Sequence, residues 1–268
     1  MSSISERFAQ LKAKRQAAYI PYVCAGDPDR DFSLRLMTEL VRAGADILEL
    51  GLPFSDPIAD GAVIQRAMNR SLAAGFRVRH IFEMIERFKN SELSCPVVLM
   101  SYLNPIVRFG QERFCERLAE SGCDGLLVVD MPIEESESLH QVARDFGLDL
   151  IQLIAPSSDD GRVDSILSRA SGFVYLVSVA GTTGVRDTLA ESAIAMLKKI
   201  SSRTDLPFAL GFGISTPQHV REAVSAGASG IIEGSKLISI CEESGFSRKE
   251  SLEIVARHVK EMKAATNL

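Results

Sequence analysis

The feature that most constrains this chain is a recurrence. Eight short apolar runs stand at YIPYVCAG (19–26), ADILELG (45–51), PVVLMSY (96–102), GLLVVD (125–130), LIQLIAP (150–156), FVYLVSV (173–179), PFALGFGI (207–214) and GIIEGSK (230–236). Between them lie stretches of helical periodicity such as DFSLRLMTELVRAG and TPQHVREAVSAG. The runs are almost continuously apolar rather than alternating, the pattern of parallel strands covered on both faces. Several helical stretches close on Gly or Ser-Gly, and the small-residue phrases AGAD, SGCDG, ASGF and AGASG lead into the following run. Each unit therefore reads as a strand and a helix joined by a right-handed crossover. Eight such units in about 250 residues predict a closed (β/α)8 TIM barrel. An open doubly wound sheet fits less well, because no G-x-G-x-x-G follows the first run. Ile4, Phe8 and Leu11 form an apolar stripe that predicts an extra N-terminal helix. The interval between the second and third runs is twice the usual one and predicts a long loop followed by helices near 62–74 and 78–90. With no linker or break in composition, residues 1–268 read as a single domain.

Composition removes several classes of function. A net charge of −5 argues against a nucleic-acid partner, whose electrostatic footprint is a basic face. No apolar stretch approaches the roughly 20 residues of a membrane span. The polar N-terminus lacks a secretory core, and the five Cys form no C-x-x-C pair. Both point to the reducing cytoplasm. The four scattered His make a multi-histidine metal site an unpromising reading, and no metal is expected.

In such a barrel the active site is built from the loops at the C-terminal ends of the strands. Glu49 lies near the end of an apolar run, flanked by Leu48 and Leu50. If the leucines pack beneath the helices, Glu49 points into the barrel mouth. A carboxyl buried there without a partner has a raised pKa and suits acid–base work. The alternative is a Glu paired with a core Lys or Arg. The Pro-rich loop LGLPFSDPIADG follows directly and brings Asp56 and Asp60. Asp60 is a second candidate acid/base group or a counter-charge, although Asp before Gly is also an ordinary turn residue. GFGIS (211–215) and EGSK (233–236) end the seventh and eighth runs, where barrels of this kind commonly bind phosphate. VSVAGTTGVRDT (177–188) has the composition of a mobile lid or of a plain solvated loop.

Together, AGDP (25–28), ELGLPFSDPIADG (49–61), MSYLNPI (100–106), AGTTG (180–184) and GFGIS (211–215) resemble the tryptophan synthase α subunit in order and over almost the whole chain. The resemblance implies a lyase that cleaves indole-3-glycerol phosphate to indole and D-glyceraldehyde 3-phosphate. It implies no cofactor in this chain and a partner β subunit, itself carrying pyridoxal phosphate, in an αββα heterotetramer. By position, Glu49 matches the general acid/base, and Asp60 the carboxylate that stabilises a positive indole nitrogen. Tyr22, Met100, Leu127, Val129, Leu153, Tyr175 and Phe212 match the indole pocket, and Thr183 the lid residue that closes toward Asp60. Gly184, Gly213, Gly234 and Ser235 match the phosphate cradle. Asp56, Pro57, Asn104 and Pro132 match loops used against the β subunit. Three positions depart from the pattern: Tyr22 adds a hydroxyl that must find a partner, Thr182 is polar, and Glu233 adds a charge beside the phosphate glycine. Glu233 is expected either to face away or to pair with Lys236.

Overall fold

The computed structural model describes residues 2–177, 189, 191–211 and 213–267. Its strands are β1 (Ala18–Cys24), β2 (Leu48–Gly51), β3 (Val97–Ser101), β4 (Gly125–Val128), β5 (Asp149–Ile154), β6 (Val174–Val177), β7 (Phe208–Gly211) and β8 (Gly230–Glu233). All pair in parallel with their sequence neighbours, and β8 returns to β1 to close the barrel. The eightfold recurrence in the sequence is this barrel.

Alternation along the strands separates two apolar layers. In β1, Ala18, Ile20, Tyr22 and Cys24 belong to the barrel interior, while Tyr19 and Val23 pack outward under the helices. The N-terminal helix Ser3–Ala13 closes the bottom of the barrel with its predicted stripe. Phe8 lies against Phe173, ring centroids 5.6 Å apart, and beside Gly230. Ile4 sits over Gly125, where a Cβ would come within 3.0 Å of its terminal methyl. The small-residue phrases also find a physical role. Asp46 in AGAD accepts a hydrogen bond from the Tyr19 amide at 2.8 Å, and Asp124 in SGCDG accepts one from Val97 at 2.7 Å. Each carboxylate thereby locks the start of the preceding strand and takes a lysine, Lys263 or Lys89, as counter-ion.

The long interval after β2 holds the two expected helices, Ala62–Ala73 and Arg79–Lys89. A further helix, Leu103–Phe109, starts directly after β3. The run-and-helix pattern of the sequence does not single it out, and its third residue is Pro105. Proline is tolerated in a first turn, where the amide it removes has no intrahelical acceptor. The amide of Leu103 is instead taken by Asp130 Oδ1 at 2.7 Å.

Candidate active site

Glu49 and Gly51 end β2 on its inner face, and Glu49 pairs in register with Tyr22 of β1 and Val98 of β3. The side chain is 4% exposed, and among the described residues no cation or hydrogen-bond donor holds it. The core-ion-pair alternative is therefore not what the fold contains. Burial first, and the nearby charge of Asp60 second, push the Glu49 carboxyl up to about 8. It is thus a proton donor at neutral pH.

Asp60 is also buried, and it is fixed from two directions. The Tyr102 hydroxyl donates to Asp60 Oδ2 at 2.6 Å and accepts from the Ala59 amide at 3.0 Å. Gln65 donates to the Asp60 carbonyl at 2.8 Å. Burial raises the Asp60 pKa, and the Tyr102 hydrogen bond opposes that rise. Tyr102 was missed in the sequence, where an aromatic at a strand end reads as core. Its ring also stacks at 5.1 Å on Phe54 in the same loop.

Around these carboxyls, Tyr22, Met100, Leu127 and Tyr175 lie in one interior cluster, with Val129 and Leu153 packed against it. The six residues come from five strands or strand ends and make an apolar wall suited to a flat ring. Two tyrosines of this wall use glycine in the adjoining strand. A Cβ on Gly51 would lie 2.1 Å from the Tyr22 hydroxyl, and one on Gly211 would lie 2.2 Å from that of Tyr175.

Gly213 and Gly234 each stand three residues past the Leu210–Ile231 pair that joins β7 to β8. Gly213 has a φ of +76°, a conformation that other residues rarely adopt. Gly234 caps the helix Ser235–Glu243 without a side-chain hydrogen bond, leaving that N-terminus to backbone donors. Phe212, Thr183, Gly184 and the expected lid from residue 178 to 188, Thr182 included, lie outside the described residues.

The helix that begins at Ser235 is braced in a way the sequence did not announce. Arg70 holds Asp27 in a two-pronged pair at 2.7 and 2.8 Å and also reaches Glu242 at 2.5 Å. Arg66 adds a second link to Glu242 at 2.7 Å. The loop after β1, the helix after Asp60 and the helix that begins at Ser235 are thereby tied together.

Glu233 behaves differently from one of its two expectations. It points outward, away from the barrel mouth, and its partners are not Lys236 but the Tyr19 hydroxyl and His258 Nε2, the latter at 2.8 Å. Its charge is therefore spent in the helix layer. Replacing Glu233 with Val should leave KM for a phosphate ligand unchanged and destabilise the fold by about 1–3 kcal/mol, since the buried Tyr19 hydroxyl and the half-buried His258 lose their partner. Thermal melting together with KM checks both halves. A rise in KM without loss of stability would place the carboxylate in the wrong layer.

Asp56, Asn104 and Pro132 are exposed and Pro57 half-buried, in the segments that follow β2, β3 and β4, Asn104 in the first turn of the helix Leu103–Phe109. Two large apolar side chains are exposed in the same segments, Ile58 at 84% in the loop and Val107 at 53% on the helix. No group of three or more potential ligands for a metal ion occurs among the described residues, and no helix there is long and apolar enough to cross a membrane.

Comparison with known proteins agrees with this geometry. The family model of the tryptophan synthase alpha chain matches residues 8–267. The alpha chain of Gluconacetobacter diazotrophicus is 47% identical over 244 residues, covering 91% of this chain and 89% of the relative. The crystal structure of tryptophan synthase subunit alpha from Legionella pneumophila superposes with a TM-score of 0.90 at 35% identity, covering 99% and 98% of the two chains. A chain of the tryptophan synthase complex from Pyrococcus furiosus superposes with a TM-score of 0.85 at 36% identity, covering 92% and 98%. A chain matched along its length in both sequence and fold belongs to the tryptophan synthase alpha chain family, a family of enzymes.

Proposed function

We propose that this chain is the lyase of the α reaction, cleaving indole-3-glycerol phosphate to indole and D-glyceraldehyde 3-phosphate and passing the indole to a β subunit. The observation that carries the reading is the pair of carboxyls at the barrel mouth: a protonated Glu49 with no partner among the described residues, beside an Asp60 held by Tyr102. Glu49 delivers its proton to indole C3. The ring loses aromaticity, and its nitrogen becomes positive. Asp60 opposes that charge, stabilising the transition state more than the ground state. Glu49, now a carboxylate, removes the proton from the linker hydroxyl next to the ring. The carbon–carbon bond then breaks, its electron pair restores the ring, and the linker carbon becomes an aldehyde. One proton has moved from oxygen to carbon, and no other reagent is consumed.

Met100, Leu127, Val129, Leu153, Tyr175 and Phe212 serve as the indole wall, with Tyr22 beside them. Gly184, Gly213, Gly234 and Ser235 serve as the phosphate cradle, and Thr183 as the residue that closes over Asp60. Exposed Ile58 and Val107, next to Asp56, Pro57, Asn104 and Pro132, support docking of the β subunit at this end of the barrel. The pyridoxal phosphate belongs to that partner and has no part in the steps above. The cytoplasm is the expected compartment.

The acid role of Glu49 sets a pH profile. kcat/KM should fall as pH rises through about 8, where free Glu49 loses the proton it must donate. On the acid side it should fall where Asp60 becomes neutral, at a pH above the ordinary Asp value. Initial rates from pH 5 to 10 test this, and a profile flat from pH 7 to 10 would remove Glu49 from the role of acid.

A further inference from the structure

Tyr22 is a titratable side chain of the site with no assigned chemistry for its polar end. The residue is 2% exposed, and its hydroxyl oxygen is buried without a well-formed hydrogen bond among the described residues, its polar neighbour on β1 being the weakly bonding Cys24 thiol. An unsatisfied buried hydroxyl is a cost that a plain packing role does not explain, since a phenylalanine would fill the same wall without it.

Its position gives a reason. At one end, the Tyr22 Cβ packs on Gly234, where an added Cβ would lie 3.4 Å away. At the other end, the hydroxyl occupies the space into which residue 51 would project a side chain, were it not glycine. That point is on the inner face of β2, two residues past Glu49 toward the mouth. The phenol also feels the charges of both Asp60 and Glu49, and burial holds its pKa well above the ordinary tyrosine value, so it carries its proton throughout the working range. The ring therefore spans from Gly234 to the inner face of β2, just past Glu49. In a substrate with phosphate at one end and a reacting ring at the other, that interval belongs to the linker.

We propose that the Tyr22 hydroxyl is a specificity-determining contact that hydrogen-bonds a hydroxyl of the three-carbon linker of the phosphorylated indole substrate, at the end nearest Glu49 and Asp60. This rests on the reading of the site given above. The orphaned hydroxyl of the free chain gains its partner only when a hydroxylated linker is bound, so a polar linker is preferred to a bare hydrocarbon one.

The test compares wild type with Tyr22→Phe on two ligands: indole-3-glycerol phosphate, and 3-(indol-3-yl)propyl phosphate, which keeps the ring and phosphate but has no linker hydroxyl. Tyr22→Phe should lower kcat/KM for the substrate about three- to tenfold, as loss of one neutral hydrogen bond does, while the Kd of the propyl analogue stays within about twofold. The variant should also melt at a higher temperature, because the orphaned hydroxyl is gone. An unchanged kcat/KM would overturn the proposal. An equal loss on both ligands would also overturn it, making Tyr22 a packing residue only. If wild type neither cleaves the first ligand nor binds the second, the reading of the site fails, and the proposal falls with it.

Discussion

Glu49→Gln should abolish cleavage and at the same time stabilise the folded chain at neutral and alkaline pH. The amide keeps the shape of the side chain but can neither give a proton to C3 nor take one from the linker hydroxyl. Loss of such a group costs about 10²- to 10⁴-fold in rate, and here both steps use it. Retention of more than about a tenth of wild-type kcat, a loss under roughly 1.4 kcal/mol, would remove Glu49 from the chemistry. The stability effect has a definite sign. The Glu49 pKa is near 8 in the folded chain and near 4.5 when unfolded, so the folded state binds the extra proton between those values. Folding stability therefore declines as pH rises across that window. The cost is absent below about pH 4.5 and complete above about pH 8, where at about 1.4 kcal/mol per unit it amounts to roughly 3–5 kcal/mol. Glutamine does not ionise and carries none of it. Denaturant titrations at pH 5, 7 and 9 should show the variant and wild type converging at low pH and separating at high pH. Parallel curves would mean that Glu49 is not an ionising buried carboxyl.

Asp60→Asn should be nearly as damaging to turnover, by about 10²- to 10³-fold, because a neutral amide cannot oppose the charge on the indole nitrogen. The substitution is clean, since the side-chain oxygen can still accept from Tyr102. It also carries a second signature. The negative charge of Asp60 contributes to the raised pKa of Glu49, so its removal should lower that pKa and move the alkaline limb of the residual kcat/KM profile toward acid. Loss of activity with an unmoved limb would leave Asp60 as a structural anchor for its loop rather than a charge within reach of the reacting ring.

Much of this was legible in the sequence because the deciding interactions are local or repeated. Near-continuous apolar runs at regular spacing admit few arrangements besides a closed parallel barrel. Glu49 stood out because a carboxylate in an apolar strand has only a few physical fates. The parts that stayed hidden depend on contacts between distant segments. Glu233 looked like a liability for phosphate binding until His258 and Tyr19 were found on its outer face. Tyr102 gave no sign that its hydroxyl would hold a residue 42 positions earlier. The link from Arg70 to Asp27 and Glu242 joins three separate βα units, so no window of sequence contains it. Tyr22 is the converse case. Its sequence position demanded a partner for the hydroxyl, and among the described residues the fold supplies the space over Gly51 and the weakly bonding Cys24 thiol.

The most direct test of the account is to incubate the purified chain with indole-3-glycerol phosphate, alone and with a tryptophan synthase β subunit, and to quantify both products. Indole and glyceraldehyde 3-phosphate should form in equal amounts, slowly from the isolated chain and faster with the β subunit. Both products should be missing when Glu49→Gln replaces wild type. Failure of wild type to form either product under both conditions, or formation of both by the Gln variant at the wild-type rate, would contradict it.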